Sequence, residues 1–313
     1  MVGEGSDPVP AARATREGVE LSAIVVAYRQ PELLTECVAA LAAGTRRPDE
    51  IIVVDVDPQA PVALAAAAAP VPLHRLPTAD NPGYAAACNR GAAEANGRWL
   101  LFMNADVAVS PATVGAVLDE ADRDGAVAIA TPRLLRPDGT LDHACHRGIP
   151  TVMDSLWYKL GVDRMAPDSR RFGHYRLTWL DPAETHDIEA CSGAFMLVRR
   201  DSLEAAGSWD EGYRFYGEDL DLCLRIRRRG GHVRYVGTAT ALHHKGAASS
   251  LQADPRSLSP EQRATRQRVR REIVDSHERF YHQHLQAGTP RLLRPLVRLM
   301  FRLQRWKLGR ARG

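Results

Sequence analysis

Asn104, Ala105 and Asp106 follow an apolar run and set two oxygen-bearing side chains two residues apart, on one side of an extended segment. That arrangement suits a hard cation. Mg²⁺ and Mn²⁺ prefer octahedral oxygen ligands and often bridge a carboxylate to phosphate oxygens, so a diphosphate would complete the shell. The same residues also suit an Asx turn ahead of the helix that Pro111 opens. Gly217-Glu218-Asp219 gathers two carboxylates at the start of a helical pattern that includes Asp221, where negative charge complements the helix dipole. Asn81-Pro82-Gly83 joins a turn to a helix start, and glycine there permits close backbone approach to a phosphate. Tyr28 follows one apolar run, and Asp55 and Asp57 follow another.

Other chemistries lack their residues. There is no G-x-G-x-x-G fingerprint after the first strand and no G-x-x-x-x-G-K-[ST] phosphate loop. His277 and His282 flank a near match to H-E-x-x-H that has one residue too many, so the two imidazoles do not share a helical face. Cys37, Cys88, Cys145, Cys191 and Cys223 never form C-x-x-C and read as reduced thiols. The net charge of +3 comes from the tail: the last 23 residues hold eight basic residues and no acid, and without them 33 basic residues face 38 acidic ones, a net of −5. Such a body does not bind nucleic acid through a broad basic face. No apolar run approaches the roughly 20 residues that span a bilayer, and the N-terminus lacks a signal-peptide core, so a cytoplasmic protein is expected.

The elements that must position these residues alternate. Residues 1–18 mix Gly, Pro, Ala and charge without periodicity and read as a disordered leader. Buried strands are expected at 21–28, 51–55, 73–76 and 98–103, separated by helices at 31–44, 60–69 and 84–95, a rhythm that implies a parallel α/β sheet. A helix from Pro111, a strand at 126–131 and a turn at Pro137-Asp138-Gly139 follow. Residues 140–187 have poor periodicity and read as a long irregular insertion near the site. Further on come a strand at 194–198, a short helix capped by Asp201, a packed helix at 218–229, a strand at 233–236, a polar loop at 243–250 and a charged helix at 261–285. Ligands of open parallel sheets bind at the carboxyl ends of strands, where Tyr28, Asp55, Asn81 to Gly91, Asn104 and Asp106 all fall.

Five ordered blocks carry a resemblance: IVVAYRQPELL (24–34), EIIVVD (50–55), NPGYAAACNRG (81–91), LLFMNADV (100–107) and a joint block running from CSGAFMLVRR to LHHKG (191–246). Their order resembles family-2 glycosyltransferases of the GT-A fold, and especially the bacterial rhamnosyltransferase-like branch. The resemblance implies a Rossmann-like, mostly parallel sheet flanked by helices over 19–250, with a nucleotide-binding half (19–131), an acceptor half (132–250) and a C-terminal helical extension (251–313). It implies an inverting transfer from a nucleotide-diphosphate sugar to a cell-envelope glycan or polyprenyl-linked acceptor, with Asp219 as catalytic base. By the same resemblance Asp106 and His243 hold a divalent cation, Mn²⁺ or Mg²⁺, while Tyr28, Asp55, Asn81, Gly83, Asn89 and Asn104 line the nucleotide. Gly193, Trp209 and Glu218 fall on the acceptor side, Trp209 either as a sugar platform or as core packing.

Asn104 stands where the family more often has Asp, which lowers local negative charge. Asp55-Val56-Asp57-Pro58 departs from the common Asp-Asn-x-Ser, leaving uridine and deoxythymidine both open. Lys245 adds charge beside the histidines. A sugar-nucleotide-forming nucleotidyltransferase and a non-catalytic sugar-binding protein remain the rival readings. From Arg291 to Lys307 leucines and arginines interleave at helical spacing, broken only by Pro295, which reads as a basic amphipathic helix for the inner face of a membrane.

Overall fold

The first strand, β1 (Leu21–Ala27), is buried along nearly its whole length, and its one polar residue, Ser22, donates its hydroxyl to Glu50 at 2.6 Å. The structure, a computed structural model, describes residues 18–28, 30–56, 65–78, 80–244 and 258–310. The expected leader (except Gly18), Asp57 and Lys245 lie outside them. After β1 come α1 (Pro31–Ala42), β2 (Glu50–Asp55), α2 (Ala65–Ala68), β3 (Leu73–Pro77), α3 (Tyr84–Glu94) and β4 (Trp99–Asn104). Pro31 stands in the first turn of α1, where a missing N–H costs nothing. Fully buried β2 pairs in parallel with β1, β3 with β2 and β4 with β1, as a β-α-β rhythm requires.

The second half breaks that regularity. β5 (Val107–Val109), α4 (Thr113–Asp122) and β6 (Val127–Leu135) precede α5 (Val152–Leu160) and α6 (Val162–Met165), and then β7 (His186–Ile188), β8 (Phe195–Arg199), α7 (Arg200–Ala205), α8 (Glu218–Arg227) and β9 (His232–His243). The sheet order is β3-β2-β1-β4-β8-β6-β9-β5, with β7 added on β9. β8 runs antiparallel between β4 and β6, so the chain's parallel half continues into a mixed one. Past the sheet, α9 (Pro260–Phe280) ends in one π-helical turn, Tyr281–Leu285, followed by α10 (Arg294–Arg310).

Four expectations change. The 140–187 insertion is not wholly irregular: Thr151 and Asp154 form a reciprocal capping box that starts α5, and Gly161 ends it in a left-handed turn. His243 does not open a loop but ends β9, because Val107 to Val109 pair antiparallel with Ala241 to His243. Asp201 lies inside the first turn of α7, whose N-cap is Arg199. Pro295 sits at the start of α10 rather than interrupting it.

Candidate active site

A cleft of about 400 Å³ opens where β1 and β4 end, a volume in the usual range for small-molecule sites. Val26, Tyr28 and Asn104 to Asp106 line it from the strand ends, while Asn81, Gly83 and Tyr84 line it from the start of α3. Gly83 is required there twice over. Its φ is +98°, and a Cβ would stand 3.0 Å from the Arg214 carbonyl oxygen. The Asn81 side-chain oxygen accepts from the Gly83 N–H at 3.0 Å, closing the turn.

The β5–β9 pairing brings the two expected metal ligands together, Asp106 just before β5 and His243 at the end of β9. Their register brings Val107 opposite His243, and the His244 N–H donates to the Asp106 carbonyl oxygen at 2.9 Å. His243 Nε2 then lies 3.4 Å from Asp106 Oδ1, which is buried and accepts no hydrogen bond. Behind the imidazole, Nδ1 meets fully buried Asp142 at 2.9 Å. A carboxylate behind a histidine fixes its tautomer and turns the other nitrogen outward, as in many metal sites. Burial opposes a charged His243, but the Asp106 and Asp142 carboxylates outweigh it and raise its proton affinity above the ordinary value. An oxygen and a nitrogen donor facing each other, one of them orphaned, fit a divalent cation. Among the described residues no group of three Asp, Glu, His or Cys forms a closed cage, so the other positions would fall to substrate oxygens and water.

Facing these ligands, α8 opens with two carboxylates of different character. Asp219 Oδ2 accepts from Arg147 Nη2 at 2.7 Å, and the Gly193 N–H points at the same oxygen from 3.4 Å. Gly193 is fixed by crowding, since a Cβ would lie 3.0 Å from the Tyr84 ring whose hydroxyl donates to its carbonyl. Glu218 also lines the cleft, but its Oε2 has no partner. Burial, reinforced by the charge of Asp219, pushes the Glu218 carboxyl up to about 8.

The loop around Asp210 and Tyr213 is tied to α9 and its π-helical turn. Arg279 forks onto Asp210, with Nη2 2.9 Å from both carboxylate oxygens, and Gln283 Nε2 donates to the same carboxylate at 3.0 Å. Tyr213 Oη donates to Gln283 at 2.6 Å, and Ser276 Oγ to the Phe215 carbonyl at 3.0 Å. His284 Nε2 meets buried Asp221 of α8 at 2.6 Å. The nitrogen comes from the π-helical turn, a feature often found near functional sites. α9 itself contributes Thr265, Arg268, Val269 and Glu272 to the cleft wall.

Tyr28, Asn81, Gly83, Asn104, Asp106, Gly193, Glu218, Asp219 and His243 therefore share one cleft, and three expected residues do not. Trp209 is 2% exposed and packs edge-on against Tyr84 and Phe102, so it is core and not a sugar platform. Asn89 does not line the cleft either. Its amide brackets the Trp209 backbone, donating to the carbonyl at 2.9 Å and accepting from the N–H at 3.0 Å, because an amide can satisfy both groups. Asp55 is buried, paired with Arg75 of β3 and outside the cleft lining, which its neighbour Val56 joins.

Sequence reasoning did not find Arg147, Asp142 or His284. Arg147 lies 72 residues from its carboxylate in a stretch without periodicity. For the His243 strand a signal existed: polar and apolar residues alternate through Thr238, Ala239, Thr240 and Ala241, a period of two that marks a strand.

Residues 22–207 match the family model described as glycosyl transferase family 2. The chain is 29% identical over 255 residues to the N-acetylglucosaminyl-diphospho-decaprenol L-rhamnosyltransferase of Mycobacterium tuberculosis, covering 76% of this chain and 79% of that protein. Its fold is similar to that of the mannosyltransferase PcManGT from Pyrobaculum calidifontis, solved with GDP-Man and Mn²⁺, at a TM-score of 0.52 and 16% identity, covering 97% of this chain and 76% of that one. It is similar also to GalNAc-T7, solved with UDP, GalNAc and Mn²⁺, at a TM-score of 0.52 and 16% identity; there the match covers 73% of this chain but only 44% of the other. These neighbours share the GT-A fold with the chain, and by the family match, which spans more than half of its length, the chain belongs to glycosyl transferase family 2.

Proposed function

We propose that this enzyme moves a sugar, L-rhamnose by analogy with its mycobacterial relative, from a deoxythymidine or uridine diphosphate donor to a sugar carried on a polyprenyl diphosphate, with inversion. One observation carries the reading. A cleft at the strand ends holds the facing pair Asp106 and His243 on one side and an arginine-oriented carboxylate, Asp219, on the other. In this reading Tyr28, Asn81, Gly83 and Asn104 receive the nucleotide, and Asp106 and His243 hold the cation. The cation, when bound, supplies positive charge against the diphosphate leaving group.

Asp219 is the base. Its carboxylate takes the proton of the acceptor hydroxyl while that oxygen bonds to the anomeric carbon, and the bond to the nucleoside diphosphate breaks on the opposite face. A single base suffices, in contrast to the carboxylate pairs of glycoside hydrolases. Arg147 and the Gly193 N–H hold Asp219 Oδ2 so that the carboxylate does not swing away from the acceptor. Among the described residues no helix is long and apolar enough to cross a membrane, and the basic α10 is the part that would meet the lipid surface bearing the acceptor.

The test is release of nucleoside diphosphate from dTDP-, UDP- and GDP-sugars with Mn²⁺ or Mg²⁺, with and without EDTA, in the presence of a polyprenyl-diphosphate sugar. Acceptor-stimulated, EDTA-sensitive release from one donor is the expected result. Turnover insensitive to EDTA would remove the cation from the scheme, and donor binding without turnover on any acceptor would reduce the protein to a binding module.

A further inference from the structure

α10 is apolar on two faces: one packs against the α9 segment, and on the other the leucines are exposed. Val297 and Phe301 pack with Val274 and Tyr281 of the α9 segment, while Leu296, Leu299, Leu303 and Trp306 repeat at alternating steps of three and four on an exposed face. Leu292, just before the helix, extends that stripe and is 92% exposed. A second uncovered apolar face lies on α5, where Met153, Leu156 and Leu160 share one side, and Met165 after it is 83% exposed. α5 reaches α10 on the covered side of that helix, where Val152 packs against the Val297 and Phe301 cluster.

Charge selects what covers them. α10 has no acid from Arg294 to Arg310, and Arg298 and Arg302 flank its exposed stripe. Around α5 and α6 the exposed side chains of Arg164, Arg170 and Arg171 face a single exposed acid, Asp168. A second copy laid across this surface would oppose arginine to arginine. An anionic lipid surface pairs with it, and the leucines and methionines would enter the headgroup boundary.

We propose that the exposed face of α5 is a docking contact for anionic bilayers, in addition to α10, and brings the membrane to the acceptor side. The inference rests on the polyprenyl-linked acceptor of the proposed function. The chain connects the two places directly: Arg147 holds Asp219, the Ile149 N–H donates to Glu189 at 2.7 Å, and Thr151 caps α5. Four residues thus separate the guanidinium at the base from the start of the lipid-facing helix. An acceptor whose diphosphate lies at the bilayer surface reaches Asp219 beside that helix.

Two readouts on the full chain test this, using L156E/L160E in α5 and L299E/L303E in α10. All four positions are exposed, and unchanged circular dichroism and melting would exclude misfolding. In sedimentation with phosphatidylglycerol/phosphatidylcholine vesicles, the parent chain should bind in a salt-sensitive way and pure phosphatidylcholine should bind far less. Each double variant should lower partitioning by about tenfold or more. L156E/L160E should raise KM for a long-chain polyprenyl acceptor by a similar factor and leave transfer to a short, water-soluble analogue unchanged. Binding that α5 substitution does not alter, or a parent dimer in sedimentation velocity that the substitutions dissociate, would overturn the proposal. If no acceptor supports transfer, the proposed function fails, while the vesicle arm still decides the surface.

Discussion

The two walls of the cleft are held by different bonds. On the strand-end wall, Val26, Asn104 and Asp106 take their places from the β1–β4 ladder and the β5–β9 pairing, which are backbone interactions. Across the cleft, Asp219, the loop around Asp210 and Tyr213, and the first turn of α8 are fixed by side-chain bonds between residues 61 to 73 positions apart. A backbone ladder tolerates changes of side chain. A buried ion pair such as Arg147 with Asp219 does not, because removing one member leaves its partner desolvated and unpaired. The wall proposed to bind the nucleotide should therefore be the robust one, and the wall with Asp219 the brittle one.

Asp219→Asn should separate the walls most sharply, with kcat falling about 10³-fold or more while calorimetry finds donor affinity unchanged. Equal losses in both would assign Asp219 to the donor. Next in size is Arg147→Met, which leaves Asp219 buried without its cation and should cost roughly 3–5 kcal/mol in urea unfolding. Combined with Asp219→Asn it should cost less than the sum, and strict additivity would mean that the pair is not coupled. His284→Ala removes one of the partners of Asp221 and should cost about 1.5–3 kcal/mol, lowering kcat more than donor affinity.

Glu218→Gln should do least, because the native carboxyl stays protonated up to about pH 8 and glutamine resembles that neutral form. The sign follows from proton uptake. Between the ordinary 4.5 and about 8 the folded protein keeps a proton that the unfolded chain has lost, so stability falls as pH rises through that window. Glu218→Gln should flatten the fall, as seen in urea midpoints from pH 5 to 9. A steeper fall in the variant would place the titration elsewhere.

Legibility in the sequence divides along the same line. LSAIVVA and EIIVVD announce buried parallel strands because both faces are covered, and the residues just past strands then mark one end of the sheet. Asn104, Asp106, Asn81 and Gly83 all fall at that end and line the cleft. The opposite wall is opaque because a salt bridge has no period: nothing near Arg147 points to a carboxylate 72 residues onward. Trp209 illustrates the limit from the other side, since a tryptophan in a loop is equally suited to a sugar and to a gap between Tyr84 and Phe102. α5 was readable, for T-x-x-D followed by Gly161 signals both ends of a helix, but the surrounding aromatic and basic residues obscured it.

The bonds from α9 and its π-helical turn to Asp210, Tyr213, Phe215 and Asp221 also set a schedule. On the ribosome, the strands and the first turn of α8 emerge before Thr265 to His284, the segment that completes the cleft and fastens its loop. Until that segment arrives, the nascent chain has a sheet able to fold and a cleft open on one flank. Competence for transfer is therefore gained late in synthesis, and a chain ended before His284 should keep its parallel sheet while lacking the fastened loop.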